Sequence, residues 1–160
     1  MKSIYYYQTK IGKLGIAEVD GKITHILFEN STKVPNDYLL QETPLLKRAA
    51  LELEEYLLGE RKSFDLPLNP GGTPFQIKVW EALQAIPYGE TRSYKEIAEA
   101  VGSPRGFRAV GLANNKNPIV IVIPCHRVIG HDGKLIGFGG GLSLKENLLK
   151  LEQGLSNAIF

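Results

Sequence analysis

At 160 residues the chain is one ordinary domain or two small ones, which excludes a multi-domain machine. A composition of 43% apolar and 22% charged residues predicts a packed core and excludes a disordered tail or a fibrous repeat. The net charge is only +2, the longest apolar run (Ile119 to Ile123) is five residues, and MKSIYYYQTK lacks a secretory apolar core. No membrane partner is therefore expected, and the expected address is the cytoplasm.

The first thirty residues read as a small antiparallel sheet: Ile4 to Thr9, Leu14 to Val19 and Ile23 to Glu29, with Gly12 and Asp20-Gly21 between them. Thr43-Pro44 reads as N-cap and first helical residue. Leu45, Leu46, Ala49, Ala50, Leu53, Tyr56 and Leu57 then recur at helical spacing until Gly59, a helix expected to cover the sheet. Pro67, Pro70, Gly71 and Gly72 form the one linker-like stretch, so the domain boundary is placed between residues 1–71 and 72–160. Thr73-Pro74 opens a helix that ends before Pro87-Tyr88-Gly89. Ser93-Tyr94-Lys95-Glu96 has the capping-box pattern for a second helix, which ends near Gly102. Ser103-Pro104 opens a third helix, expected to run to about Asn114, and the last two fit a helix-turn-helix. Ile119 to Ile123 reads as a buried strand terminated by Pro124. Ser143-Leu144-Lys145-Glu146 repeats the capping-box pattern for a final helix ending at Glu152. The fold class is therefore α+β, a sheet-and-helix domain followed by a mostly helical one.

Charge is uneven along the chain. Residues 1–71 carry nine Lys/Arg against ten Asp/Glu, and residues 72–160 carry ten against seven. Between Ser103 and Lys134 lie Arg105, Arg108, Lys116, Arg127 and Lys134 against Asp132 alone, which suits a polyanion or an ordinary solvated face. Lys95 and Ser103, at predicted helix starts, are candidate phosphate contacts. Ala109, Gly111 and Ala113 keep their helix slim, which suits approach to a minor groove or tight helix packing. The lone cysteine, Cys125, excludes an internal disulfide; with His126 and His131 it lacks a metal-site spacing, so neither metal nor cofactor is expected. A buried lone cysteine is most often packing. Cys125, however, follows directly on Pro124 at the expected margin of core and surface, with His126 and Arg127 next to it as groups able to favour a thiolate.

Ile123-Pro124-Cys125-His126-Arg127-Val128 resembles the active-site signature of the O6-alkylguanine-DNA alkyltransferases, the methylated-DNA-protein-cysteine methyltransferases. Pro87-Tyr88-Gly89-Glu90-Thr91, Ser93-Tyr94, Arg108-Ala109-Val110-Gly111, Asn117-Pro118, Gly139-Gly140-Gly141 and Lys145-Glu146 follow in that family's order, and the resemblance covers Thr73 to Glu152. It implies a ribonuclease-H-like first domain. It also implies repair of O6-alkylguanine in double-stranded DNA by a single irreversible transfer of the alkyl group to Cys125, in a protein expected to act as a monomer. His126, reached through a water and oriented by Glu152, would take the thiol proton. Asn117 would brace the turn beside the site, and Tyr94 would donate toward the base and crowd the neighbouring phosphate. Arg108 would take the place of the extruded base. By residue type alone, Glu152 reads as a solvated helix end, Asn117 as a turn residue, Tyr94 as a packing ring and Arg108 as a surface charge; the resemblance reverses that order.

Phe138, Gly139 and Gly140 would line the base pocket. The family often carries a tyrosine and a serine where this chain has Phe138 and Gly139, so backbone groups would have to make those base contacts. Two other classes stay open on the residues themselves. A non-catalytic DNA-binding protein would share the helix-turn-helix, although the related alkyltransferase-like sensors lack the cysteine. A cysteine hydrolase would share Cys and His but needs an oxyanion hole, for which no motif stands out.

Overall fold

The computed structural model describes residues 1–31, 34–130, 132–133 and 141–154. The chain is α+β and its described residues divide into two compact units, one holding Met1–Gly71 with Pro118–Val120, the other Gly72–Asn117 with the described residues from Ile121 to Gly154. No helix among the described residues is long and apolar enough to cross a membrane.

In the first unit, β1 (Lys2–Thr9), β2 (Gly12–Val19) and β3 (Lys22–Phe28) form an antiparallel meander, and the two-residue β4 (Leu39–Leu40) runs parallel to β1, giving the order β3-β2-β1-β4. Asp20 and Gly21 both take positive φ, 49° and 81°, as the two central residues of a tight hairpin whose twist matches its strands. Helix α1 (Pro44–Leu57) starts where Thr43 Oγ1 accepts from Leu46 N–H, and buries Leu46, Ala49, Leu53, Tyr56 and Leu57. That stripe packs on the sheet, against a core of Leu14, Ile16, Ile23 and Ile26.

The expected strand from Ile119 to Ile123 does not form as a continuous element. Ile26 N–H donates to Pro118 O at 2.9 Å and Val120 N–H to Ile26 O at 3.3 Å, so the run begins as a short parallel bridge to β3. At Ile121 the chain turns with φ of 73°, a conformation unfavourable for a β-branched residue and therefore invisible to propensity. Burial of Ile119, Ile121 and Ile123 is as the apolar run implies; the chain direction is not.

In the second unit, α2 (Pro74–Gln84) and α3 (Tyr94–Ala100) each begin with a complete capping box, Thr73 with Gln76 and Ser93 with Glu96. Helix α4 (Phe107–Asn115) completes the helix-turn-helix with α3 and is tied to α2 by Trp80 Nε1–H donating to Ala113 O at 2.9 Å. It begins three residues later than Ser103-Pro104 implies. Gly106 N–H closes a turn on Ser103 O at 2.7 Å, so Pro104 takes the second place of a turn, a position it favours as much as a helix start. Helix α5 (Leu142–Glu152) ends as expected but starts on Gly141, with φ of 94° and no side-chain cap, so the Ser143 capping box is absent. The two-residue strands β5 (Arg92–Ser93) and β6 (Val128–Ile129) pair in parallel.

Candidate active site

The geometry around Cys125 begins with Pro124. Its φ of −81° and ψ of 67° make it the centre of an inverse γ-turn, closed by Cys125 N–H donating to Ile123 O at 2.8 Å. Asn117 Nδ2 donates to the same carbonyl at 2.7 Å, so the expected brace lies where the chain bends. Cys125–Arg127 then forms a single 3₁₀ turn. Adjacent side chains on a strand point to opposite faces, whereas on a 3₁₀ turn they are about 120° apart, so Cys125 and His126 are not directed to opposite faces. Cys125 is buried, 4% exposed as a residue, rather than at the margin of core and surface.

Helix α5 supplies the carboxylate. Glu152 Oε2 lies 2.6 Å from His126 Nε2, while Arg127 grips both oxygens, Nε to Oε1 at 2.8 Å and Nη2 to Oε2 at 3.1 Å. Gly89 N–H also donates to Oε1 at 3.2 Å. A Cβ at Gly89 would sit 3.1 Å from Glu152 O, and its φ of 83° is a second reason for glycine there. Burial raises the Glu152 carboxyl, but the hydrogen bonds and charges of His126 and Arg127 outweigh it and hold the group down to about 2. Burial lowers His126, and this dominates over the carboxylate that favours its charged form. The imidazole is therefore neutral at pH 7, donates Nε2–H to Glu152, and carries its lone pair on Nδ1, the arrangement of a base.

Lys145 is fully buried one turn into α5, its Nζ donating to Val128 O at 2.6 Å and lying 6.0 Å from the centre of the Tyr94 ring. Burial pushes it down to about 8, against the charge of Cys125, which raises it. Tyr94, first residue of α3, is half-buried; burial raises its hydroxyl, Cys125 adds to that, and the nearby Asn114 carboxamide opposes both. Asn114 on α4 is buried and its Nδ2 donates to Cys125 O at 3.4 Å.

The structure thus brings Cys125, His126, Glu152, Asn117 and Tyr94 together. Arg108 and Lys95 are exposed on α4 and α3, and Ser103 lies part-buried in the turn between them rather than at a helix start. Phe138, Gly139, Gly140 and His131 lie outside the described residues. Among the described residues no cluster of three His, Cys, Asp or Glu is placed to hold a metal. Residue-type reading overlooks Lys145 and Asn114. The first left a signal: Lys145, Leu148 and Glu152 recur at helical spacing with a charge at either end of a core stripe. Arg127, read as a partner for the thiol, instead serves Glu152 and donates to Ile86 O at 2.7 Å.

The 6-O-methylguanine DNA methyltransferase family matches the chain twice, its DNA binding domain over residues 74–154 and its ribonuclease-like domain over residues 4–70. A methylated-DNA–protein-cysteine methyltransferase of Methanosarcina barkeri is 51% identical over 155 residues, 94% of this chain and 98% of the relative. The constitutive enzyme of Bacillus subtilis is 48% identical over 152 residues, 91% of this chain and 92% of its own. A crystal structure of Mycobacterium tuberculosis OGT in complex with DNA superposes with a TM-score of 0.90 at 43% identity, covering 98% of this chain and 96% of that one.

Proposed function

The chain belongs to the methylated-DNA–protein-cysteine methyltransferase family, and from that membership we propose how its own residues divide the work of repair. The protein binds DNA containing O6-alkylguanine and transfers the alkyl group to Cys125 in a single turnover that consumes it. As the S–C bond forms and the C–O6 bond breaks, the electron pair leaves on the guanine. The proton lost by the thiol balances the one the guanine must regain.

His126 takes the thiol proton through a water, and Glu152 steadies the imidazolium that results. The Lys145 ammonium, still the main form at pH 7 although burial lowers it to about 8, favours the thiolate. Asn117 holds the turn, and Tyr94 donates to the departing base. Because the thiol is buried, the alkylated base must leave the duplex, and Arg108 on α4 fills the gap; Lys95 and Ser103 meet backbone phosphates. Residues 72–160 form the DNA-binding and active-site domain, and residues 1–71 the sheet domain. The protein works in the reducing cytoplasm, where its one thiol stays reduced.

The observation that carries this reading is the buried pair His126 Nε2···Glu152 Oε2 at 2.6 Å, one residue beyond the cysteine. Incubation with an oligonucleotide containing O6-methylguanine, followed by peptide mass spectrometry, should place one methyl group per protein on the Cys125 peptide. Cys125→Ala should take up none while binding the duplex as before. An unmodified Cys125 peptide beside unrepaired DNA overturns the reading.

A further inference from the structure

Helix α4 turns a mixed face to solvent. Val110, Ala113 and Asn114 are buried, whereas Phe107 is 50% and Leu112 64% exposed, with exposed Arg108 between them on the helix surface. At about 100° per residue, Leu112 lies about 40° from Arg108 on one side, while Gly111, Phe107 and Asn114 lie about 60°, 100° and 120° from it on the other. That second side leads to the site. A Cβ on Gly111 would come within 4.0 Å of the Tyr94 ring, and Asn114 Nδ2 donates to Cys125 O at 3.4 Å. Phe107 therefore heads a stripe that ends at the backbone of the nucleophile about 10 Å further along the helix axis. It stands on the flank of Arg108 that faces the cysteine.

The preceding turn holds the ring in place. Gly106 N–H donates to Ser103 O at 2.7 Å, Val110 N–H donates to Gly106 O at 2.9 Å, and a Cβ at Gly106 would meet Ser103 Cβ and O at 3.1 Å. One exposed apolar side chain needs no explanation. Here an aromatic ring is fixed in solvent beside Arg108, with Arg105 and Lys116 exposed nearby. Cations together with an apolar ring suit a polyanion that also offers flat apolar surface, which is what a nucleic-acid base is.

We propose that Phe107 is a second DNA-inserting side chain, which enters the minor groove beside Arg108 and packs its ring on the base bordering the gap, on the flank from which the damaged nucleotide swings toward Cys125. Arg108 fills the place of the lost base, and Phe107 covers the neighbouring base that the departure uncovers. Ala109 and Gly111 keep the rest of the face low enough for the ring to reach base edges. Stacking on a base ignores its identity, so the contact serves lesions in any sequence.

This inference rests on the proposed repair activity, and a binding measurement separates the two. Affinity for a duplex containing O6-methylguanine is measured by fluorescence anisotropy over a range of salt concentrations, in the unreactive Cys125→Ala background, with and without Phe107→Ala or Phe107→Tyr. Phe107→Ala should weaken binding about fivefold or more at every salt concentration, while the slope of log K against log salt stays within about 0.3 of the parent, because a ring is lost and no charge. Phe107→Tyr keeps the ring and should bind within about twofold of the parent. Affinity of Phe107→Ala within about twofold of the parent, equal losses for Ala and Tyr, or a change of slope overturns the proposal. So does a dimer of the free protein, seen by sedimentation, that Phe107→Ala abolishes, since the ring would then belong to a contact between copies. If Phe107→Ala does not fold, Phe107→Gln, of similar reach and without a ring, is judged by the same criteria. Absence of methyl transfer by the unmutated protein would refute the repair activity itself, independently of these affinities.

Discussion

Both oxygens of Glu152 are committed, Oε2 to His126 and Arg127, Oε1 to Arg127 and to Gly89 N–H. A carboxylate so held is a stability element in its own right. Its ordinary value is 4.5 and it is held down to about 2 in the fold, so the stability it adds is fully present above pH 4.5 and is lost as pH falls toward 2. The shift corresponds to a loss of about 3 kcal/mol. Glu152→Gln keeps the shape but leaves Arg127 buried without a counter-charge, a cost of about 3 to 5 kcal/mol at pH 7, and an imidazolium formed during transfer would also lose its support. Urea unfolding at a series of pH values should show the parent weakening across that acid window. The Gln variant should start lower, with a flatter acid limb and slower methyl transfer. Parallel pH curves for the two proteins would show that Glu152 is not the group that titrates.

At the scale of elements, what the sequence discloses is what local chemistry decides. Thr43, Thr73 and Ser93 cap their helices as their neighbours imply, because a cap needs only a side-chain oxygen and an N–H three residues on. Ser103 and Ser143 carry similar local patterns and cap nothing: the first closes a turn with Gly106, and the second lies inside a helix that already began at Leu142. The break at Ile121 and the meeting of His126 with Glu152, 26 residues apart, depend on tertiary packing, and only the family resemblance pointed to the second. Helix α4 bears the element-level prediction. Arg108 is exposed at its second position, between exposed Phe107 and the slim, exposed Ala109, so it can enter a duplex at the point where a base has left. Unstacking a base costs a few kcal/mol, so Arg108→Ala should slow repair about tenfold or more in a duplex and less than about threefold in a single strand. Single-turnover rates on the two substrates check this, and equal slowing on both would assign Arg108 to backbone attraction alone.

For the whole molecule, the question is how much of a modest positive charge can reach DNA. The net value is +2, and the excess lies in residues 72–160, yet two of those cations are interior: Arg127 is committed to Glu152 and Lys145 to Val128 O. On the helix-turn-helix and the turn that follows it, the exposed cations are Lys95, Arg105, Arg108 and Lys116, interspersed with exposed Glu96 and Glu99. Each phosphate contact releases counterions and adds about −0.9 to the slope of log K against log salt. Four contacts at most give a slope between about −2 and −4, shallow for a protein that must search duplex DNA, which leaves the selection of a damaged base to extrusion and pocket chemistry rather than to electrostatic grip. Fluorescence-anisotropy titrations of Cys125→Ala, which binds without reacting, against an undamaged duplex over a range of salt concentrations measure that slope. A value of about −6 or steeper would require phosphate contacts beyond these four side chains and would move the DNA-binding face off the helix-turn-helix.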